Sequence, residues 1–362
     1  MKVLFFWEPG GISLDRSNPY AALLGRALLS RGIEFEAGFR SHLSPEFLEA
    51  NRNTVDVLHF NWPSGLYADP DPRTAVAGGM ALLSGINHAR SLGMRVVWTM
   101  HNLYPHDSAL YELDRLVRLG ITSSADSVIV HCEHAREQLR RHFFRAQGVF
   151  TIPHGNFIDA YPNTLTRAEA RSRLGIDRRT FVYLFFGTVR ANKGVEKLVE
   201  AFRQLPGDDC LLLLAARIAS EYGDAVAQRA READPRILVH RSSFYRNEEF
   251  QLFYNAADIA VLPFTDILTS GSAITALSLG CPVLVPAIGC LPELVTPQIA
   301  LTYDPSQPQA LLQALEAARR HDLASCRSLA IARMRDLDWG DIARRTLQVY
   351  RSPQPSFQLR AD

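Results

Sequence analysis

Short, mainly apolar runs recur along the chain, and each stops at a glycine or at a cluster of polar residues. The first is residues 2–7 (KVLFFW), followed by Glu8-Pro9-Gly10-Gly11 and a helical stretch that opens at Asn18-Pro19-Tyr20 and continues to Arg31. Residues 55–60, 95–100 and 127–130 are three more. They end in Asn61-Trp62-Pro63, in the stretch from His101 to Asp107, and in His131-Cys132-Glu133-His134. Continuous apolar runs of this length suit strands covered on both faces, as in a parallel sheet. Helical patterns at 75–92 and 111–119 lie between them. Strand, glycine turn and helix in repetition predict a doubly wound α/β domain.

A short strand at 149–153 leads through His154-Gly155-Asn156 into an irregular stretch, 157–166, where a domain boundary is expected. A short helix at 168–174 follows, and the pattern then restarts. Residues 181–186 read as a strand, 187–194 as a basic glycine loop and 195–204 as an amphipathic helix. Strands at 210–215, 237–240, 259–262 and 283–285 follow, with a helix at 247–257 and closing helices at 309–320, 323–337 and 342–351. The expected organisation is an N-terminal domain over 1–160, a C-terminal domain over 168–338 and a terminal helix over 339–352, both domains Rossmann-like.

The 362 residues suffice for two such cores, and the formal net charge of +1 gives no global reason to bind nucleic acid. The five cysteines are scattered without CxxC or metal-ligand spacing, so reduced thiols are the expected state. No signal-peptide pattern and no membrane-length apolar run occur, so a cytoplasmic location is expected.

Candidate chemistry collects where strands end, the edge at which open α/β sheets bind ligands. In the first half these positions include Gly10, Gly11, His101 and Asn102. In the second half, Gly187, Arg190 and Lys193 occupy the basic loop, and Ser270-Gly271-Ser272 precede the helical run of residues 273–279. A helix start offers free N–H groups and the positive end of its dipole, while Arg and Lys neutralise charge, so the pair of features suits a pyrophosphate. Each feature also has a plain reading: an N-cap, a solvated lysine, a glycine that only lets the chain turn.

Three segments, FFGTVRANKGVEKLVEAF, FYNAADIAVLPF and SGSAITALSLGCPVLVPAIGCLPELV, occur in the order found in nucleotide-sugar-dependent glycosyltransferases of the GT-B fold. The chain resembles that family, in particular its family 4-like members. DVLHFNWP, TMHNLYPHD and VIVHCEHAREQL in the first half resemble bacterial polysaccharide and lipid-linked oligosaccharide transferases. The resemblance implies two facing Rossmann-like domains with a cleft between them and a last helix returning to the first domain. It implies that Arg190 and Lys193 bind the donor diphosphate and that Gly187, Ser270, Gly271 and Ser272 cradle it. Glu248 is implied in ribose or base contacts, and Glu293 lies in the matching Gly-x-x-Pro-Glu turn. Retaining family 4 enzymes carry two glutamates around this helix; here the positions fall near Asp266-Ile267 and at Thr275. That departure resembles the family 94 bacterial mannosyltransferases, which invert and use GDP-mannose. Inversion needs a general base. Asp107 and His106 lead the candidates, then Asp15 and Glu133, while His101 and Asn102 would position the sugar or acceptor. No paired-acid metal motif stands out, so no cofactor or metal is expected. The alternatives are a retaining transferase with a UDP-sugar and a non-catalytic nucleotide-sugar-binding subunit.

Residues 135–145 (AREQLRRHFFR) place Arg136, Arg140, Arg141 and Arg145 beside Phe143 and Phe144. Such a helix suits peripheral attachment to an anionic membrane surface and hence a polyprenyl-linked acceptor. A solvated helix with two buried phenylalanines is the other reading.

Overall fold

The computed structural model describes residues 1–7, 12–14, 18–105 and 108–353. The chain forms two compact units, Met1–Gly155 together with the chain from Trp339 onward, and Asn156–Asp338.

The first unit is built on β1 (Lys2–Phe6), β2 (Glu34–Ala37), β3 (Val57–Phe60), β4 (Arg95–Thr99), β5 (Ser127–Val130) and β6 (Val149–Thr151). They form one parallel sheet in the order β2-β1-β3-β4-β5-β6. The second unit repeats the arrangement with β7 (Phe181–Thr188), β8 (Cys210–Arg217), β9 (Ile237–Ser242), β10 (Ile259–Val261), β11 (Val283–Pro286) and β12 (Ala300–Tyr303). Its order is β12-β11-β10-β7-β8-β9, again parallel. β3, β4, β5, β10 and β11 are buried throughout, which is why they read as mainly apolar runs.

Three elements left no such signature. β2 (EFEA) and β12 are edge strands that are only partly buried. The helix Glu221–Ala233 buries Gly223, Val226, Ala227 and Ala230, a face too small-chained for a strong apolar period.

Both sheets are pinned at their N-terminal edge by an aspartate. Asp126 accepts from Val96 N at 2.8 Å and pairs with Arg90. Asp258 accepts from Val182 N at 2.7 Å and pairs with the buried Arg171. Asp258, within the segment FYNAADIAVLPF, therefore sits at the sheet end opposite to where a ligand would bind.

The terminal helix Trp339–Arg351 belongs to the first unit. Tyr350 Oη lies 2.7 Å from His59 Nδ1, and Arg345 donates to the Thr151 carbonyl at 2.6 Å. Gly155 allows the closest approach: a Cβ there would come within 2.4 Å of the Trp339 ring. Cys210, Cys281 and Cys326 are buried free thiols.

Candidate active site

In the second unit the chain order switches between β7 and β10, and the C-terminal ends of strands at such a switch point are where open α/β sheets commonly bind ligands. The first loop begins at Gly187, whose φ of 147° favours glycine. Arg190 then precedes the 3-10 turn Ala191–Lys193, and Gly194 follows with φ 65°. A side chain at Gly194 would place its Cβ 2.0 Å from the Pro263 carbonyl oxygen, so only glycine permits this contact. The two loops are laced together. Thr265 N donates to the Asn192 carbonyl at 2.9 Å, and Asn192 Nδ2 to the Asp266 carbonyl at 3.4 Å. On the far side Gly289 makes the matching approach, with its Cβ position 2.2 Å from Ile267 O, and Cys290 N donates to Leu268 O at 2.8 Å. Residues 263–272 are thus clasped from both sides.

Lys193 is half-buried, with Nζ 4.6 Å from the centroid of Phe264. Burial pushes its pKa down to about 8, and repulsion from Arg190 adds to the effect. Two cations held in a partly dehydrated loop favour an anion. The helix Gly271–Ser278 starts at the end of the clasped segment. Ser270 caps it, its Oγ accepting from Ala273 N at 3.1 Å. The N–H groups of Gly271 and Ser272 precede the first intrahelical bond, Ile274 N to Ser270 O, and so lie at the positive helix end. Thr275 is buried, with Oγ1 donating to the Gly271 carbonyl at 2.9 Å. This face of the helix therefore carries a hydroxyl and no carboxylate at position 275.

Gly187, Arg190, Lys193, Ser270, Gly271 and Ser272 are brought to one strand-end edge. Glu293 is exposed in the helix Leu291–Leu294, directly after the Gly289 contact. Glu248 is exposed in the first turn of the helix Asn247–Ala256, after β9, and among the described residues no hydrogen bond or ion pair joins it to Lys193 or Ser270. Its neighbour Glu249 is the capping residue, accepting from Arg246 N at 2.7 Å.

The first unit has a second cluster at its strand ends. His101, after β4, is 3% exposed. Trp62, after β3, stacks on it at 5.0 Å, and Tyr20 and Trp7 meet it edge-on at 4.8 Å and 5.5 Å. His131 Nε2 lies 3.1 Å from His101 Nδ1, and His101 Nε2 lies 3.0 Å from Asn61 Oδ1. His154 packs against His131 at 5.3 Å and against Tyr20 at 4.9 Å. Burial pushes His131 down to about 4, His154 to about 3 and His101 well below the usual range, so all three are neutral at physiological pH. Asn102 is buried, and its carbonyl accepts from Arg118 at 3.3 Å. Sequence reasoning selected His101 and Asn102. It named Asn61 and Trp62 only as strand-end residues and Tyr20 only as a helix start, because their contacts with His101 join residues far apart in the chain.

Of the base candidates, Asp107, His106 and Asp15 lie outside the described residues, as do Gly10 and Gly11. Glu133 opens the helix Glu133–Phe143 and is engaged: Thr151 Oγ1 donates to it at 2.6 Å and Arg136 pairs with it at 3.2 Å. On the same helix Glu137 holds both Arg140 and Arg141. Arg145, just beyond it, donates to the Thr122, Ala125 and Asp126 carbonyls. Phe143 is buried, whereas Phe144 is 80% exposed, so one of the two phenylalanines departs from the buried-face reading. Among the described residues no helix is long and apolar enough to cross a membrane.

The family model described as "Glycosyl transferases group 1" matches residues 180–320, the span holding the loops after β7 and β10. The protein is a glycosyltransferase. Its two parallel sheets are those of the GT-B fold. The glycosyltransferase is 26% identical over 277 residues to a GDP-mannose:glycolipid 4-beta-D-mannosyltransferase of Xanthomonas campestris, spanning 74% of this chain and 72% of that one. It is 25% identical over 393 residues to a D-inositol 3-phosphate glycosyltransferase of Xylanimonas cellulosilytica, spanning 95% and 93%. Among solved structures, sucrose-phosphate synthase from Thermosynechococcus elongatus superposes with a TM-score of 0.74 at 22% identity, covering 97% of this chain and 98% of that one.

Proposed function

We propose that this glycosyltransferase moves mannose from GDP-mannose, with inversion, to a saccharide or lipid-linked saccharide acceptor. The observation that carries the donor half is the clasped segment, which ties the chain leading into the helix Gly271–Ser278 to the loop bearing Arg190 and Lys193. In this reading the donor's diphosphate takes the Gly271 and Ser272 N–H groups, and Arg190 and Lys193 stabilise the charge that grows on the leaving nucleotide. Electrostatic stabilisation of that kind is commonly the largest catalytic contribution. The two cations carry the charge without a metal ion.

Two observations support the mannosyl and inverting parts. Thr275 supplies no carboxylate where the resemblance to retaining family 4 enzymes implies one, and the Xanthomonas relative is named as a GDP-mannose:glycolipid 4-beta-D-mannosyltransferase. The acceptor is assigned to the first unit, with His101 and Asn102 as positioning groups and Asp107, then His106, as the base that takes the hydroxyl proton. Proton transfer by such a group is worth about 10²- to 10⁴-fold. The test is product stereochemistry. GDP-mannose carries an α-linked sugar, so NMR of the product should show a β-mannoside, and Asp107→Asn should lower kcat by that factor with little change in donor affinity. An α-linked product would refute the inverting assignment. It would favour retention, as in the second reading, a retaining UDP-sugar enzyme that the family 4-like segments motivate; turnover with UDP-sugars in place of GDP-mannose would then decide the donor.

A further inference from the structure

The three hydrogen bonds that run from Ile152 to Asn61 have only one self-consistent direction. His131 Nδ1 lies 2.9 Å from the Ile152 carbonyl, and a carbonyl oxygen can only accept, so Nδ1 carries the proton. Neutral His131 then has a lone pair on Nε2. That lone pair faces His101 Nδ1 at 3.1 Å, so His101 must donate from Nδ1. Neutral His101 in turn has its lone pair on Nε2, which faces the Asn61 side-chain amide at 3.0 Å. A lone pair needs a donor, so the amide presents its NH2 group there, with oxygen and nitrogen exchanged relative to the orientation in which Oδ1 faces the ring. The exchange gives up only the long contact of 3.5 Å between the Asn61 amide and the Phe6 carbonyl, which already accepts from the Asn61 backbone N–H at 3.0 Å. Asn61, His101 and His131 are all buried, so water is a poor substitute partner at any link.

We propose that His131 is a positioning residue: anchored by the Ile152 carbonyl, it fixes His101 in the tautomer protonated on Nδ1 and thereby turns the Asn61 amide so that its NH2 group faces His101. The same imidazole, one link from the chain backbone, sets whether a ring at the edge of the first unit's sheet accepts or donates. In a protein a histidine's role is set by which nitrogen its other hydrogen bond occupies. His101 is the residue assigned above to sugar or acceptor positioning. The catalytic consequence rests on that reading, whereas the tautomer itself does not.

The test is nitrogen-15 NMR on histidine-labelled protein without substrate, with His101 assigned by the signal lost in a His101→Phe variant. At pH 7 His101 should show a protonated Nδ1 and an unprotonated Nε2. The opposite tautomer, or an imidazolium, would overturn the proposal. Two variants separate positioning from simple packing. His131→Gln keeps an acceptor oxygen for His101 Nδ1–H, whereas His131→Phe keeps the ring and loses the acceptor. The Phe variant should lose the fixed tautomer and lower kcat/KM for the acceptor about tenfold, the factor expected from one net hydrogen bond. The Gln variant should restore both. Nucleotide binding to the second unit should be unchanged in either. An unchanged His101 tautomer in the Phe variant would also overturn the assignment. A fixed tautomer with unaltered acceptor kinetics would instead refute the role given to His101 while leaving the hydrogen-bond chain intact.

Discussion

The ammonium of Lys193 sits 4.6 Å from the centroid of the Phe264 ring, joining the loop after β7 to the loop after β10. The contact spans the switch point of the second unit's sheet, and it fixes a cation where an anionic ligand would arrive.

Because burial lowers Lys193 to about 8, its charge is lost just above physiological pH. The sign follows directly. Below pH 8 the free protein presents a cation. As pH rises through 8 the ammonium deprotonates, and a diphosphate that prefers the charged form must bind with proton uptake. Calorimetric titration with GDP from pH 6.5 to 9.5 should therefore show affinity falling above pH 8. Lys193→Arg should hold affinity level over the same range, and a level wild-type profile would remove Lys193 from the donor site.

Gly194 tolerates no side chain, since φ is 65° and a Cβ would meet the Pro263 carbonyl at 2.0 Å. Gly194→Ala should separate the two loops, costing about 1–3 kcal/mol in stability and most nucleotide binding. Gly155→Ala, aimed at the Trp339 ring 2.4 Å away, should instead loosen the terminal helix Trp339–Arg351 and spare nucleotide binding. Thermal unfolding with and without GDP distinguishes the two. Equal loss of nucleotide binding in both would argue against a donor-specific role for Gly194.

The first unit should be acid-labile. His59, hydrogen-bonded to Tyr350 and Thr99, is held near 3 by burial, and His131 and His154 near 4 and 3. An unfolded histidine titrates near 6.5, so the unfolded state binds more protons between these values. Stability is full above pH 6.5 and falls as pH drops toward 3, by up to about 1.4 kcal/mol per pH unit for each such histidine. Hydrogen exchange in β3 and β4 at pH 7, 6 and 5 should show this loss. His59→Gln should flatten the slope by about one proton, and an unchanged slope would contradict it.

The residues proposed for the donor side are local in sequence, so the sequence alone could suggest them. Gly187, Arg190, Lys193 and Gly194 lie within one loop, and Ser270, Gly271 and Ser272 within one turn. Buried strands such as Val283–Pro286 announced themselves as apolar runs, whereas the edge strand Glu34–Ala37 did not, having little to bury. The cluster around His101 was legible only as polar residues at strand ends. Its substance is the meeting of Asn61, His101, His131 and Tyr20, which are separated in sequence and joined by the sheet order. Asp258 lies within one of the family-like segments and serves the fold, accepting from Arg171 and Val182 N.

The central claim, a guanosine diphosphate-sugar donor held by the Lys193 loop and the start of the helix Gly271–Ser278, is tested most directly by thermal stabilisation with GDP, UDP, ADP and dTDP and their sugar forms. A ligand at 100 times its dissociation constant stabilises the folded state by about 2.7 kcal/mol. The account predicts a selective shift with GDP and GDP-mannose that Lys193→Ala abolishes. A selective shift with UDP, or a GDP shift that survives Lys193→Ala, would contradict it.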